Sequence, residues 1–314
     1  MSHSEKVPQP PDEIVSTPAM DVFVTAEGGA SNAPPSERKQ ARRENWRLIR
    51  RRPAFIIGLF ILTVWVVCAV LGEAITPHHP LDFRAGTHLS PRADFPFGTD
   101  ATGRDVLSRV MAGARDVLRI APMAAFLGVF FGVILGMLMG YLRGWFDTIA
   151  SRIVEAFLAL PVVLIALLAV TTLGSSSWVV IGVVATLFTP IVARTVRSAV
   201  LAERDLDYVT SARLRGESNM FIMFREVLPN VMGPIVVELT VRVGYAVFTV
   251  ATLSFIGAGP PPPSPDWGAQ VSENYNSIIS GFWWTTFFPA AAIASLVIAV
   301  NLIADSVQSV MEAS

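Results

Sequence analysis

Groups able to do acid–base, nucleophilic or metal chemistry are few and scattered in this sequence. Four histidines occur (His3, His78, His79 and His88), together with the single cysteine Cys68. Adjacent histidines chelate poorly, and a metal site usually needs three or four ligands at defined spacing. One cysteine cannot form an internal disulfide. The sequence has no G-x-x-x-x-G-K-[ST] phosphate loop, no H-E-x-x-H, no G-x-S-x-G and no C-x-x-C. No covalent chemistry is therefore assigned to this chain, and any ATP-driven step needs an ATPase on another polypeptide. What remains are charges in apolar surroundings. Glu238 and Arg242 stand four residues apart inside one apolar run, the spacing that lets them pair along a helix face. Charge in hydrocarbon is costly and marks either a pathway or a neutralised brace. The brace is the plainer reading here. Asn301 and Asp305 repeat that spacing near the end of the last run, where they cap or brace a gate rather than bind cargo. Glu155 opens another run, close to the headgroups.

The runs themselves decide the class. Ala54–Leu71 is 18 residues without a charge, Ile120–Leu142 is 23, Ala156–Ala193 is 38 and Asn274–Ala304 is 31. About 20 apolar residues in a helix cross the roughly 30 Å of hydrocarbon in a bilayer. Charged residues make up 16% of the chain and the mean hydropathy is +0.53, against about 25% charged residues in soluble domains. A soluble enzyme and a disordered chain are excluded. Barrel strands are about 10 residues of alternating character, so a β-barrel is excluded as well. The expectation is an all-α polytopic membrane protein in the lipid bilayer, with spans over 54–75, 118–142, 153–173, 178–200, 230–257 and 285–308.

Arginine placement gives the orientation. Eight Lys/Arg lie between Arg38 and Arg52, ahead of the first span. Arg143 and Arg152 follow the second span, and Arg204, Arg213, Arg215 and Arg225 follow the fourth, whereas Gly174–Ser177 and Ala258–Trp284 hold none. The positive-inside rule then puts both termini in the cytoplasm. The loop between spans one and two disagrees, with Arg84, Arg92, Arg104, Arg109 and Arg115 on the outer side. It is expected to fold onto the protein, with Asp100, Asp105 and Asp116 as partners. The chain divides into a disordered N-terminus (1–36), a basic segment with the first span (37–75), an external loop (76–117) and a core (118–310). Low hydrophobicity underlies the disorder expected at 1–36. Trp283-Trp284 is expected at the outer interface, and Gly259–Pro263 as a stiff external turn.

The longest inner loop, 203–229, reads as two short helices. Gly216 suits the left-handed position that ends the first, Ser218 can cap the second, and the second must stop near Pro229. Leu206, Val209, Ala212, Arg213 and Gly216 share one face at helical spacing, which suits docking into a partner's groove; a solvated connector is the alternative.

Tyr208-Val209-x-x-Ala212-Arg213-x-x-Gly216-x-Ser218, followed by Arg225-x-x-Leu228-Pro229-Asn230, resembles the "EAA" loop of binding-protein-dependent ABC permeases, in the dipeptide/oligopeptide/nickel branch. Four further stretches agree in order. These are Asn45-Trp46-Arg47 with Arg51-Arg52-Pro53, Phe97-Gly98-Thr99-Asp100-x-x-Gly103-Arg104-Asp105, Leu253-Ser254-Phe255-Ile256-Gly257 with Pro265-x-Trp267-Gly268, and Phe288-Pro289 with Asn301-Leu302-x-x-Asp305. The resemblance covers residues 45–310 and departs at Thr210, Ser211, Glu226 and Val250, with Thr210 in the slot of the namesake Glu. It implies a type I ABC importer permease fold with six transmembrane helices in the plasma (inner) membrane. It also implies a homologous second permease, two cytoplasmic ATPases that bind the ATP and Mg, an external substrate-binding protein, and peptide-class cargo such as dipeptides, oligopeptides, nickel chelates or haem. On that resemblance Tyr208, Val209, Ala212, Arg213, Gly216, Leu228 and Pro229 couple to the ATPases, which move the loop as a lever. Glu238, Arg242, Asn301 and Asp305 are the pathway or gate candidates. No nucleic acid is implied. A proton-coupled secondary transporter is the alternative, but it needs carboxylates deep in several spans and only Glu238 qualifies. A membrane receptor or scaffold lacks the soluble domain it would need.

Overall fold

The computed structural model describes residues 52–83, 86–261 and 264–311. The stretch expected to be disordered, 1–36, lies outside the described residues, as do the basic run up to Arg51, Arg84, and Pro262 and Pro263 of the external turn. Among the described residues the secondary structure is helical, with two isolated bridges, Arg92–Phe95 and Thr99–Asp105, in the loop after the first span.

The first helix, α1 (Pro53–Leu71), starts on a proline whose missing N–H costs nothing at that position, and it ends where Gly72 takes φ 49°. α2 (Val106–Leu142) follows the long loop and is 37 residues, about 55 Å of helix. The helix begins 12 residues ahead of the span expected at 118–142. The Asp105 carboxylate caps the helix by accepting from the Leu107 and Ser108 N–H groups. Val106, Val110, Ala114 and Val117 then carry a buried stripe through turns whose charges had hidden it from hydropathy.

The expected third span, 153–173, is two helices, α3 (Gly144–Ala159) and α4 (Val162–Leu173), bent by 89°. Pro161 explains the break, because it forces Leu160 into an extended conformation, φ −84° and ψ 139°. α5 (Ser177–Glu203) is capped by Ser176, and the short α6 (Asp207–Leu214) opens the loop that follows. α7 (Met232–Phe255), α8 (Trp267–Asn274) and α9 (Trp284–Met311) complete the fold. Among the described residues five helices are long and apolar enough to cross a membrane, or six if the bent pair counts as one span.

α2 and α5 are the central pair. Gly128, Gly132, Gly136 and Gly140 recur every four residues along α2 and face α5. A Cβ on Gly132 would sit 2.5 Å from the Val192 Cβ, and one on Gly136 would sit 2.6 Å from the Ala193 carbonyl oxygen. Small residues at this spacing let backbones approach where lipid offers no hydrophobic drive. Hydropathy alone, which locates the span, is blind to this stripe. Close approach at Gly58 (Ala299 carbonyl) and Gly244 (Asn301 side chain) joins α9 to α1 and to α7.

Candidate functional site

The loop after α5 is anchored from beneath. Val209 and Ala212, expected on a docking face, are fully buried; with Ile222, Met223 and Val227 they pack on Tyr141, Val196 and Val200 at the ends of α2 and α5. The expected single face therefore splits, because its apolar members serve the chain's own core. Arg213 and Gly216 stay exposed and Tyr208 is half-buried. Gly216 takes φ +77°, the Gly216 N–H donates to the Arg213 carbonyl (3.0 Å) and the Glu217 N–H to the Ala212 carbonyl (3.3 Å). Together these close α6 in the geometry that favours glycine. The Ser218 hydroxyl accepts from the Phe221 N–H, as expected of a cap.

The second helix ends at Asn230, near Pro229 as expected, but its course there is irregular. Ile222–Val227 forms a π-helical turn in which the Leu228 N–H donates to the Met223 carbonyl, and helix continues through Leu228–Asn230. A proline ring excludes the carbonyl four residues before it, and the widened turn accommodates it. Leu228 is half-buried against the loop core and Pro229 is exposed.

Polar contacts staple this loop to the helix ends. The Arg204 and Arg213 guanidiniums lie 5.6 and 5.3 Å from the centre of the Tyr141 ring. Arg204 also donates to the Tyr141 carbonyl, and Arg213 to the Arg204 carbonyl at 3.4 Å. The Tyr208 hydroxyl donates to Glu203 at 2.8 Å; burial first, and then that carboxylate, push it up to about 12. Leu206, Leu214 (85% exposed), Met220 and Phe224 project outward from this stapled base. Exposed apolar side chains grouped on a polar loop mark a contact surface. Sequence reading missed Leu214, which lies off the Val209–Ala212 face.

Within α7, Arg242 and Glu238 pair at 2.6 Å with both side chains almost enclosed, and the guanidinium lies over Phe188 and Tyr245. Asn301 meets α7 at Gly244, and Asp305, one turn on, is exposed. These residues are not gathered into one pocket with the loop.

At the opposite end the Phe97–Arg109 stretch folds back on the protein. Arg109 is 1% exposed and bonds Asp100 (2.6 Å) and Glu273 (3.1 Å); Arg104 bonds the same two carboxylates at 2.8 and 2.7 Å. Asp105 and Asp116, the other expected arginine partners, point elsewhere. Asp105 holds His78 and Ser108, and Asp116 accepts from Ser264. Glu273, on α8, supplies the second carboxylate and no local motif flagged it. Burial acts to raise the Asp100 carboxyl, but the Arg104 backbone N–H and the Arg109 and Arg104 charges outweigh it and hold the group below the usual carboxylate range. Asp266, which caps α8 through the Ala269 N–H, is instead pushed up by burial.

Trp267 donates to the Val110 carbonyl, and Trp284 to the Thr99 carbonyl. Trp284 is thus buried within the protein, and Trp283 beside it is half exposed. His79 pairs with Asp82, and His88 stacks on Phe282.

Comparison with known proteins places the chain in a family. The family described as binding-protein-dependent transport system inner membrane component matches residues 132–314, and the N-terminal transmembrane domain of oligopeptide transport permease C matches residues 41–91. The chain belongs to the first of these families. It is a permease subunit of an ABC importer and carries no ATPase of its own. The dipeptide transport permease DppC of Bacillus subtilis is 35% identical over 268 residues, 85% of this chain and 84% of that one. The glutathione transport permease GsiD of Shigella flexneri is 37% identical over 271 residues, 86% and 89% of the two chains. A subunit of the MetNI methionine ABC transporter, solved in inward-facing conformations, superposes with a TM-score of 0.53 at 21% identity, covering 65% of this chain and 95% of that one; this likeness concerns the fold.

Proposed function

We propose that this permease forms half of a translocation pathway for peptide-class cargo, beside a homologous second permease. Two cytoplasmic ATPases bind ATP and Mg, and an external binding protein delivers the cargo. The cargo class follows the dipeptide and glutathione permeases to which the chain is similar. Both termini and the 203–229 loop face the cytoplasm of a plasma-membrane protein, as the arginine distribution favours. The observation that carries the coupling role is the division of the loop. Val209 and Ala212 key it into α2 and α5 and Arg213 braces it on Tyr141, while Leu206, Leu214 and Gly216 face outward to meet an ATPase. Force applied to the outer face passes to the two central helices with no flexible connection between. Tyr208 and Leu228 hold the loop's shape from within, and Pro229 fixes the π turn that ends it. Glu238 with Arg242, and Asn301 with Asp305, brace the gate rather than bind cargo.

Gly216→Val tests the assignment. No atom lies within 4 Å of a Cβ there, so the strain comes from φ +77° alone, roughly 1–2 kcal/mol. The spans should insert normally, while ATPases co-purify poorly and hydrolysis uncouples from peptide uptake in proteoliposomes. Thr210→Ala, on an exposed residue, should behave as wild type. Normal ATPase retention with coupled uptake in Gly216→Val would sink the coupling role.

A further inference from the structure

We propose that α2 and α5 hold a phospholipid, its phosphate on Arg115 and Arg119 and an acyl chain in the groove beneath them. The described arginines between α1 and Ile120 divide into two groups. Arg92, Arg104 and Arg109 have carboxylate partners, whereas Arg115 and Arg119 are exposed, one turn apart on α2, and none of the described carboxylates pairs with them. Asp116, between them, is engaged by Ser264. The Arg119 guanidinium lies 5.9 Å from the ring centre of Trp178, which is 61% exposed at the start of α5. Ile120 is the next residue and begins the 23-residue uncharged run. Two unmatched cations and an indole therefore stand at the level where the helix enters hydrocarbon, the depth of lipid phosphates. A guanidinium binds phosphate through paired N–H donors.

The surface below has the matching character. From Arg119 the residues at successive four-residue steps are Met123, Leu127, Phe131 and Leu135, and from Trp178 they are Gly182 and Thr186. Beside the two ridges, with α3 as the far wall, runs an open groove of about 430 Å³ lined by Leu127, Phe131, Leu135, Val154, Phe157 and Gly182. The Thr186 hydroxyl donates to the Gly182 carbonyl at 2.8 Å, so no polar group in this wall seeks a partner. Leu127 to Leu135 rises about 12 Å, close to the depth of one leaflet, about half of 30 Å. The occupant must be anionic at the top and apolar for that depth. A phospholipid meets both conditions.

Native mass spectrometry of the complete importer, extracted from phosphatidylglycerol vesicles, tests this. Wild type should retain phosphatidylglycerol through detergent exchange. Arg115→Gln with Arg119→Gln should lower retention several-fold, and the corresponding lysine pair should restore most of it. Gly182→Leu should lower retention as much with the charges intact, because a Cβ at Gly182 meets nothing within 4 Å and the side chain enters the groove that Gly182 lines. Retention unchanged in both the glutamine pair and Gly182→Leu overturns the proposal. So does loss of the second permease at unchanged lipid content, which would make this face a subunit contact.

Discussion

The two ends of the molecule bury opposite kinds of residue. The Phe97–Arg109 end encloses Asp100 and Arg109, with Arg104 and Glu273 at the rim of the same cluster. The loop end encloses Val209, Ala212, Ile222, Met223 and Val227 and keeps its charges outside. Both segments are rich in motif residues, yet the same chemical change should do different things to them. A charge removed from the first end strands its partner in a dry site, whereas a charge removed from the second is replaced by water. Folding depends on charges at one end and on shape at the other.

The sharpest test of that contrast is Arg109→Met. It leaves Asp100 and Glu273 with only Arg104, and breaking a buried pair typically costs about 3–5 kcal/mol. The melting temperature of the detergent-purified complex should fall further than for any other single substitution at either end. Arg213→Met, on the loop rim, should hardly move it. Equal losses would erase the distinction between the ends.

A second test lies between the ends. Removing Glu238 or Arg242 alone should lower assembly more than removing both, since either single change leaves a lone charge in the bundle. Yield of assembled complex for the three variants reads this directly. A double variant that assembles fully yet transports nothing would move the pair from brace to cargo contact.

Acid separates two aspartates of the charged end. Asp100 is held below the usual carboxylate range, so its stabilisation is full above its unfolded value and is lost as pH falls through its lower folded value. Asp266 is pushed up, so protonation stabilises the folded form and the carboxylate is a cost above its folded value. Asp100→Asn should lower the melting temperature at neutral pH and flatten its fall on acidification. Asp266→Asn should not lower it at neutral pH and should remove a gain on acidification. Melting curves across the acidic range would show whether the two move in opposite senses.

A small but measurable effect is expected of Tyr208→Phe, which removes one hydrogen bond to Glu203 on a half-buried ring and should cost about 1 kcal/mol. A larger loss would mean that polar contacts, and not the Val209–Ala212 plug, anchor the loop.

Membrane class and approximate spans were legible because uncharged runs of this length suit a bilayer and little else. The start of α2 was not, since Arg109, Asp116 and Arg119 interrupt hydropathy while Val110, Ala114 and Val117 keep the helical stripe. The break at Leu160 was within reach, as Pro161 sits well inside the expected span 153–173. In the loop, Gly216 and Ser218 declared their backbone roles through residue type. The side on which Val209 and Ala212 would bury did not show, because a small apolar face fits a partner's groove and the chain's own core equally well. Glu273 was invisible for a different reason: nothing local links it to Arg109, 164 residues away in sequence.

α2 belongs to both ends at once. Its first turns are fixed to α8 through the Val110 and Arg109 carbonyls, which accept from Trp267 and Gln270. Its last turns, from Gly128 to Gly140, lie backbone to backbone against α5. Between the two clamps sits Pro122, the one proline in the helix. A proline inside a helix removes a backbone hydrogen bond and makes a natural bending point. If the subunit alternates between two shapes, α2 need not flex along its length. It can behave as two stiff rods sharing one joint, so a tilt imposed at Tyr141 changes the angle at Pro122 and reaches the Arg109 cluster as a rotation.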